Sequence, residues 1–257
     1  GLSLAHTSFF VEADHLAGAL PINQWRAYLR FHAAHALAPH LSRPFRDAHF
    51  ALFGKQLQGL AEAPPRWQSA LEATDAALGE WLGQRYAARY LDAAATARTQ
   101  ALANGLVAAL KQRVGAASWL GEAARTAGVA KLEALQVVVG HDDPPPQGKL
   151  PELSPENHAA NMLAAAAWRQ QAAFARLGEA PLPAPLRGHR VSAFYDAAGN
   201  RLAVAAAFLS PPLFDPAMDA AQLHGGLGAL LGHELSHAVD LYGSTLAADG
   251  SAAPWWS

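Results

Sequence analysis

The hydrophobic period changes once along this chain, and that change constrains the fold more than any other feature. Up to about residue 140 apolar residues recur at spacings of three and four, the mark of helices with one buried stripe. Trp25, Tyr28, Leu29 and His32 follow Pro21, which suits a first helical turn. From Arg66, a second stripe is formed by Trp67, Leu71, Leu78, Leu82 and Tyr86, with Glu72, Arg85 and Arg89 off it. A third helix is expected over Arg98–Val114 and a fourth over 119–139, around Leu120, Ala124, Ala127, Lys131, Leu132 and Leu135. Then His141-Asp142-Asp143-Pro144-Pro145-Pro146-Gln147-Gly148 breaks the pattern, and 140–155 reads as a linker. Ser154-Pro155 opens another helix, to about Leu177. Only after this does the period fall to two. Val191–Tyr195 predicts a short strand and Asp196–Asn200 a turn. A second strand follows, in which Leu202, Val204, Ala206 and Phe208 alternate with Ala203, Ala205 and Ala207. A last helix should run from near Asp219 to about Leu241. The expected class is mainly α with a small β-sheet, α+β.

Composition narrows the chemistry. Nineteen Lys and Arg against 21 Asp and Glu give a net charge of −2, which argues against nucleic acid or an anionic membrane as partner. There is no cysteine, so a disulfide scaffold, a thiolate zinc site and a cysteine nucleophile are excluded. No apolar run reaches the ~20 residues of a membrane span. The opening Gly1-Leu2-Ser3-Leu4 lacks a basic stretch followed by an apolar one, so no signal peptide is expected. The ending Pro254-Trp255-Trp256-Ser257 suggests a chain cut inside a fold.

The chemistry sits in His233-Glu234-Leu235-Ser236-His237. On a helix, residues four apart share a face, so the two imidazoles can hold one Zn²⁺. Glu234 then stands beside the metal rather than on it, placed to take a proton from water as general base. Asp240, three residues on, is expected to accept the other ring N–H of a metal-bound histidine. Position 243 is Gly243 rather than a third histidine, which excludes that zinc subclass. Gly225, Gly226, Gly228 and Gly232 each cost about 1 kcal/mol against alanine in a helix, and they predict something packed very close. His32, His35, His40 and His49 never repeat the zinc spacing with an adjacent Glu and read as structural or surface residues; His224 stays open.

Val191-Ser192-Ala193-Phe194-Tyr195, Phe208-Leu209-Ser210-Pro211-Pro212-Leu213-Phe214, His224-Gly225-Gly226-Leu227-Gly228, Asp249-Gly250 and Trp255-Trp256 surround that motif. With Trp25–Phe31, Asp47–Phe50 and Pro65-Arg66-Trp67, they make the chain resemble the neprilysin family of zinc metallopeptidases, which includes endothelin-converting enzymes and bacterial endopeptidase O. The resemblance implies a two-lobed peptidase that cleaves oligopeptides between a helical lobe and a thermolysin-like catalytic lobe. Residues 1–140 would be part of the helical lobe, 141–155 a linker and 156–257 the N-terminal part of the catalytic lobe. It implies one zinc per site, held by His233, His237 and a Glu from a C-terminal chain or segment beyond Ser257. Ser192 and Ala193 would bind substrate, with Ser192 standing where the family has Asn. Asn200–Phe208 would be an edge strand to which the peptide adds in antiparallel fashion. The resemblance and the Gly1 start favour an exported bacterial protein, periplasmic or extracellular, with the cytoplasm left open. The alternative is a non-catalytic homologue that binds peptide or a partner chain.

Overall fold

The computed structural model describes residues 5–142, 150–179 and 182–256. Helices dominate it: α1 (Thr7–Ala19), α2 (Ile22–Leu37), α3 (Arg43–His49), α4 (Arg66–Tyr90), α5 (Ala93–Gly115), α6 (Glu122–Glu133), α7 (His158–Ala175), α8 (Ala220–Leu223) and α9 (Ala229–Ser236). Three strands, β1 (Gln136–Gly140), β2 (Ala193–Asp196) and β3 (Arg201–Ala205), form one mixed sheet. The mainly α class with a small sheet is therefore what the chain adopts. The linker residues Asp143–Lys149 lie outside the described residues.

The chain divides into two compact units. One comprises Gly1–Ser69 with Glu152–Ala164; the other comprises Ala70–Pro151 with Ala165–Ser257. In the first, neither α1 nor α2 buries a residue. Its order comes from rings: His35 stacks on His49 at 5.0 Å between centroids and meets Phe53 at 4.1 Å.

The second unit is built on the sheet, in the order β1-β3-β2. β1 runs parallel to β3, Val138 opposite Ala203; β2 runs antiparallel, Ala193 opposite Val204. Every residue of β3 is buried. The alternation read from the sequence holds over Arg201–Ala205, while Ala206–Phe208, expected to continue the strand, turns into a 3-10 helix. Leu202 and Val204 face a core made with Leu102 and Ala103 of α5 and with Leu227, Leu231 and Leu235. Ala203 and Ala205 face Leu186.

Several expectations are corrected here. β3 is central, not an edge, so the segment from Asn200 to Phe208 has no free side for a peptide. Its small alanines are covered rather than open: Ala203 and Ala205 are 0% exposed. The covering strand is β1, whose Val137-Val138-Val139 belongs to residues expected to extend α6. That helix stops at Glu133, and the β-branched run pairs instead. On α4 the buried positions are Ala73, Asp75, Gly79, Glu80, Gly83 and Ala87, while Trp67 and Leu71 are exposed. Close approach decides this: a Cβ on Gly83 would lie 2.4 Å from the backbone nitrogen of Gly188. Asp75 there receives Arg187, His189 and Arg190. Finally, α7 starts at His158, with Asn157 Oδ1 accepting from Ala160 N at 3.0 Å, three residues after the expected start.

Candidate active site

The site lies on a segment capped at Asp219. The Asp219 carboxylate accepts from Gln222 N at 2.8 Å while the Gln222 side chain accepts from Asp219 N at 3.1 Å, a reciprocal cap that fixes where the helix begins. Leu223, Leu227, Leu231 and Leu235 follow at intervals of four and are all buried. This stripe pins one side of the segment to the sheet, so His233, two residues from both Leu231 and Leu235, stays exposed. Between α8 and α9 the backbone widens into a π turn over His224–Gly228. The glycines of this region do not mark close packing. A Cβ would meet nothing within 4 Å at Gly225, Gly226 or Gly232, and at Gly228 only ordinary contacts with Leu102 and its own segment. His224 is exposed, with Nδ1 2.8 Å from Ala220 O.

The helix ends at Ser236, five residues earlier than expected, and His237 is its C-terminal cap. The chain then turns back on itself. Asp240 Oδ1 accepts from Tyr242 N at 2.9 Å and Gly243 N at 2.7 Å, and Oδ2 lies 2.7 Å from His237 Nδ1. Gly243 is required at this turn, because a Cβ there would sit 2.1 Å from His237 O. The pairing expected between Asp240 and a histidine is thus formed, with His237. Burial acts to raise the Asp240 carboxyl, but the Gly243 and Tyr242 amides and the His237 ring outweigh it and hold the group below its ordinary value.

With His237 Nδ1 donating to Asp240, its Nε2 keeps a lone pair. The His233 and His237 rings lie 4.9 Å apart between centroids and 84° to one another. These are two imidazole donors on one face, a donor set suited to zinc as far as it goes. Among the described residues no group of three or more His, Asp or Glu side chains converges on a metal position. Glu234 is oriented from outside its helix: its Oε2 accepts from the backbone N–H of Tyr195 at 3.1 Å. That amide is free to do so because β2 is the outer strand. Ser192 O accepts from Ala205 N at 3.0 Å, so the even residues of β2 face β3. Ala193 and Tyr195 turn their peptide groups the other way. Ala193 therefore lies on the strand whose outward edge passes Glu234, with Ser192 just before it and bonded inward to Ala205.

Two side chains behind the site escaped the sequence reading. Lys131 of α6 is 2% exposed. Its Nζ donates to Gly243 O at 2.6 Å and Leu246 O at 3.0 Å. Burial lowers its pKa, and Asp240 opposes that shift. Asn200 is 1% exposed with a positive φ of 43°. It donates to Lys131 O at 2.9 Å and accepts from the Tyr195 hydroxyl at 2.8 Å. Burial, then Asp196 and Asp240, push the Tyr195 phenol well up. The signal for Lys131 was a charged residue on the apolar stripe of α6.

The sequence matches peptidase family M13 in two stretches, its N-terminal part over residues 2–142 and its peptidase part over residues 192–257. The chain belongs to peptidase family M13. It is 26% identical over 262 residues to endothelin-converting enzyme-like 1 of Mus musculus, covering 99% of this chain and 34% of that protein. It is 26% identical over 254 residues to the neutral endopeptidase of Lactobacillus helveticus, covering 97% and 39%. Among solved structures, the Mycobacterium tuberculosis zinc metalloprotease Zmp1 in complex with an inhibitor superposes with a TM-score of 0.80 at 26% identity, over 96% of this chain and 37% of that one. PepO from Lactobacillus rhamnosis gives 0.76 at 25% identity, over 95% and 40%. The chain thus spans between a third and two fifths of the length of these M13 relatives. No helix among the described residues is long and apolar enough to cross a membrane.

Proposed function

We propose that this chain carries the general base and two of the zinc ligands of an M13 endopeptidase that cleaves oligopeptides. The observation that carries the reading is the pairing of His237 Nδ1 with Asp240 at 2.7 Å, one turn from a second exposed imidazole and beside an oriented carboxylate. Zinc, when bound, supplies a Lewis acid that makes water acidic near neutral pH and polarises a peptide carbonyl. The residues of the chain do the rest. His233 and His237 present nitrogen lone pairs, and Asp240 fixes the tautomer of His237. Glu234 takes the proton of the attacking water and returns it to the leaving amine. The peptide adds along the outward edge of β2, where Ala193 offers both an N–H and a C=O; Ser192, whose carbonyl is bonded inward to Ala205, would bind it through its side chain.

A third ligand, a Glu, comes in this proposal from a C-terminal segment or chain; the relatives are long enough to hold one. The same proposal assigns residues 1–140 to a helical lobe, 141–155 to a linker and 156–257 to the catalytic lobe, with β1 reaching from the first stretch into the catalytic sheet. It favours a periplasmic or extracellular protein over a cytoplasmic one. Metal analysis of the full-length protein, together with hydrolysis of a fluorogenic peptide before and after chelation, tests the reading. Stoichiometric zinc and chelator-sensitive cleavage are expected. Zinc bound without cleavage would leave a peptide-binding homologue, and no zinc would end the proposal.

A further inference from the structure

Glu234 stands on α9 and His237 caps its end, yet each is held by a group outside that helix, and the two holding groups are joined. Tyr195 N–H donates to Glu234, and the Tyr195 hydroxyl donates to Asn200 Oδ1. Asn200 Nδ2 donates to the carbonyl of Lys131. The ammonium of the same Lys131 donates to Gly243 O, Gly243 N donates to Asp240, and Asp240 accepts from His237. The path closes on the helix from which it began. Its middle is dry: Lys131 is 2% and Asn200 1% exposed.

We infer that Lys131 is a positioning residue of the metal centre, joining through its ammonium and its carbonyl the turn that orients His237 to the strand that orients Glu234. The inference rests on the zinc peptidase reading above. Three observations favour it over a lysine that merely fills the core. Its ammonium is committed to two carbonyls, Gly243 O and Leu246 O, of the turn that Asp240 starts. The cation also lies 5.9 Å from the centre of the Tyr195 ring, so it faces both arms. And burying a charge is costly unless it is used; here an ammonium that is 2% exposed is spent on backbone oxygens of the turn that holds Asp240. Without the ammonium, the turn would keep its Asp240 contacts but lose its anchor to α6. Asp240 would then hold the His237 ring less firmly.

The test is Lys131→Met in the full-length protein, with zinc affinity measured by competition with a chromogenic chelator. Loss of a group that orients a metal ligand weakens binding about 10–100-fold, and about tenfold is expected, together with a lower kcat at nearly unchanged KM. Leu120→Ala, in the same apolar cluster as Leu132 and Ala238, is the control. It should lower thermal stability at least as much and leave zinc affinity unaltered. Zinc affinity unchanged in Lys131→Met, or lowered equally by Leu120→Ala, overturns the inference. If Lys131→Met does not fold, Tyr195→Phe cuts the same path at its less buried end. A fall in kcat with zinc retained supports the path, and parental kcat overturns it. A parent protein that binds no zinc would instead defeat the underlying reading.

Discussion

Two pairs of imidazoles in this molecule look alike in composition and differ in what surrounds them. In the first unit, His40 Nδ1 lies 3.1 Å from His158 Nε2, so the pair is satisfied by its own members, one ring donating and the other accepting. In the second unit, His233 and His237 are no farther apart by centroid, 4.9 against 5.1 Å, yet their nitrogens do not bond each other. There the Asp240 carboxylate accepts a hydrogen bond from Nδ1 of His237, and a second carboxylate, Glu234, stands between the two residues in sequence. A histidine is readied for a metal when another group accepts one ring N–H and leaves the other nitrogen's lone pair outward, as Asp240 does for His237. Counting the 12 histidines of the chain could not separate the two cases; the carboxylates do.

The largest effect that follows concerns Glu234. Glu234→Gln keeps the size of the side chain and both histidines, so zinc content should be unaltered while turnover of a fluorogenic peptide falls by about 10²–10⁴-fold, the usual worth of a general base. Turnover within a few-fold of the parent would show that another group takes the proton. Next is Asp240→Asn, which leaves an oxygen for the His237 ring but removes the charge. A zinc dissociation constant raised about 10–100-fold is expected, read by chelator competition. In the first unit, His40→Gln with His158→Gln should leave zinc stoichiometry unchanged. Zinc lost from that double variant, with zinc kept in Asp240→Asn, would invert the distinction between the pairs.

What could be read from the sequence follows the range over which each feature is decided. The start of the helix at Asp219 is local, because Asp219 and Gln222 cap each other. The alternation of β3 is local as well, and so is the dyad, since four residues of helix set it. The central position of β3 is not local: it depends on Gln136–Gly140 pairing with Arg201–Ala205 across some sixty residues, and the same valines fit the tail of a helical stripe. The buried face of α4 failed for a related reason. Its large apolar residues promised a stripe, but the close passage of Gly83 against Gly188 and the cations around Asp75 chose a face of small and acidic residues. At the candidate site, the roles of His233, Glu234 and His237 stand as the proposal above, and the pairing of Asp240 with a histidine was legible. Lys131 and Asn200 were not, because each acts on backbone atoms far away in sequence.

The smallest expected effect is a pH dependence confined to the first unit. Burial, and then the neighbouring His158, hold the pKa of His40 below its ordinary 6.5. A folded-state pKa below the unfolded one means that the unfolded chain binds the proton more readily. The contribution of His40 to stability is therefore complete above pH 6.5. It is lost as the pH falls through the lowered value, where the buried ring beside His158 must take up a charge. His49, lowered by burial and by His35, adds in the same direction. Hydrogen exchange of α2 and α3 measured at pH 7.5 and pH 5.5 should show faster opening at the lower pH, after correction for intrinsic rates. The His40→Gln, His158→Gln variant should lose part of that difference, because glutamine bonds without titrating. Equal pH dependence in variant and parent would mean that the pair exerts no control over opening. The contrast between the two imidazole pairs would then rest on the metal alone.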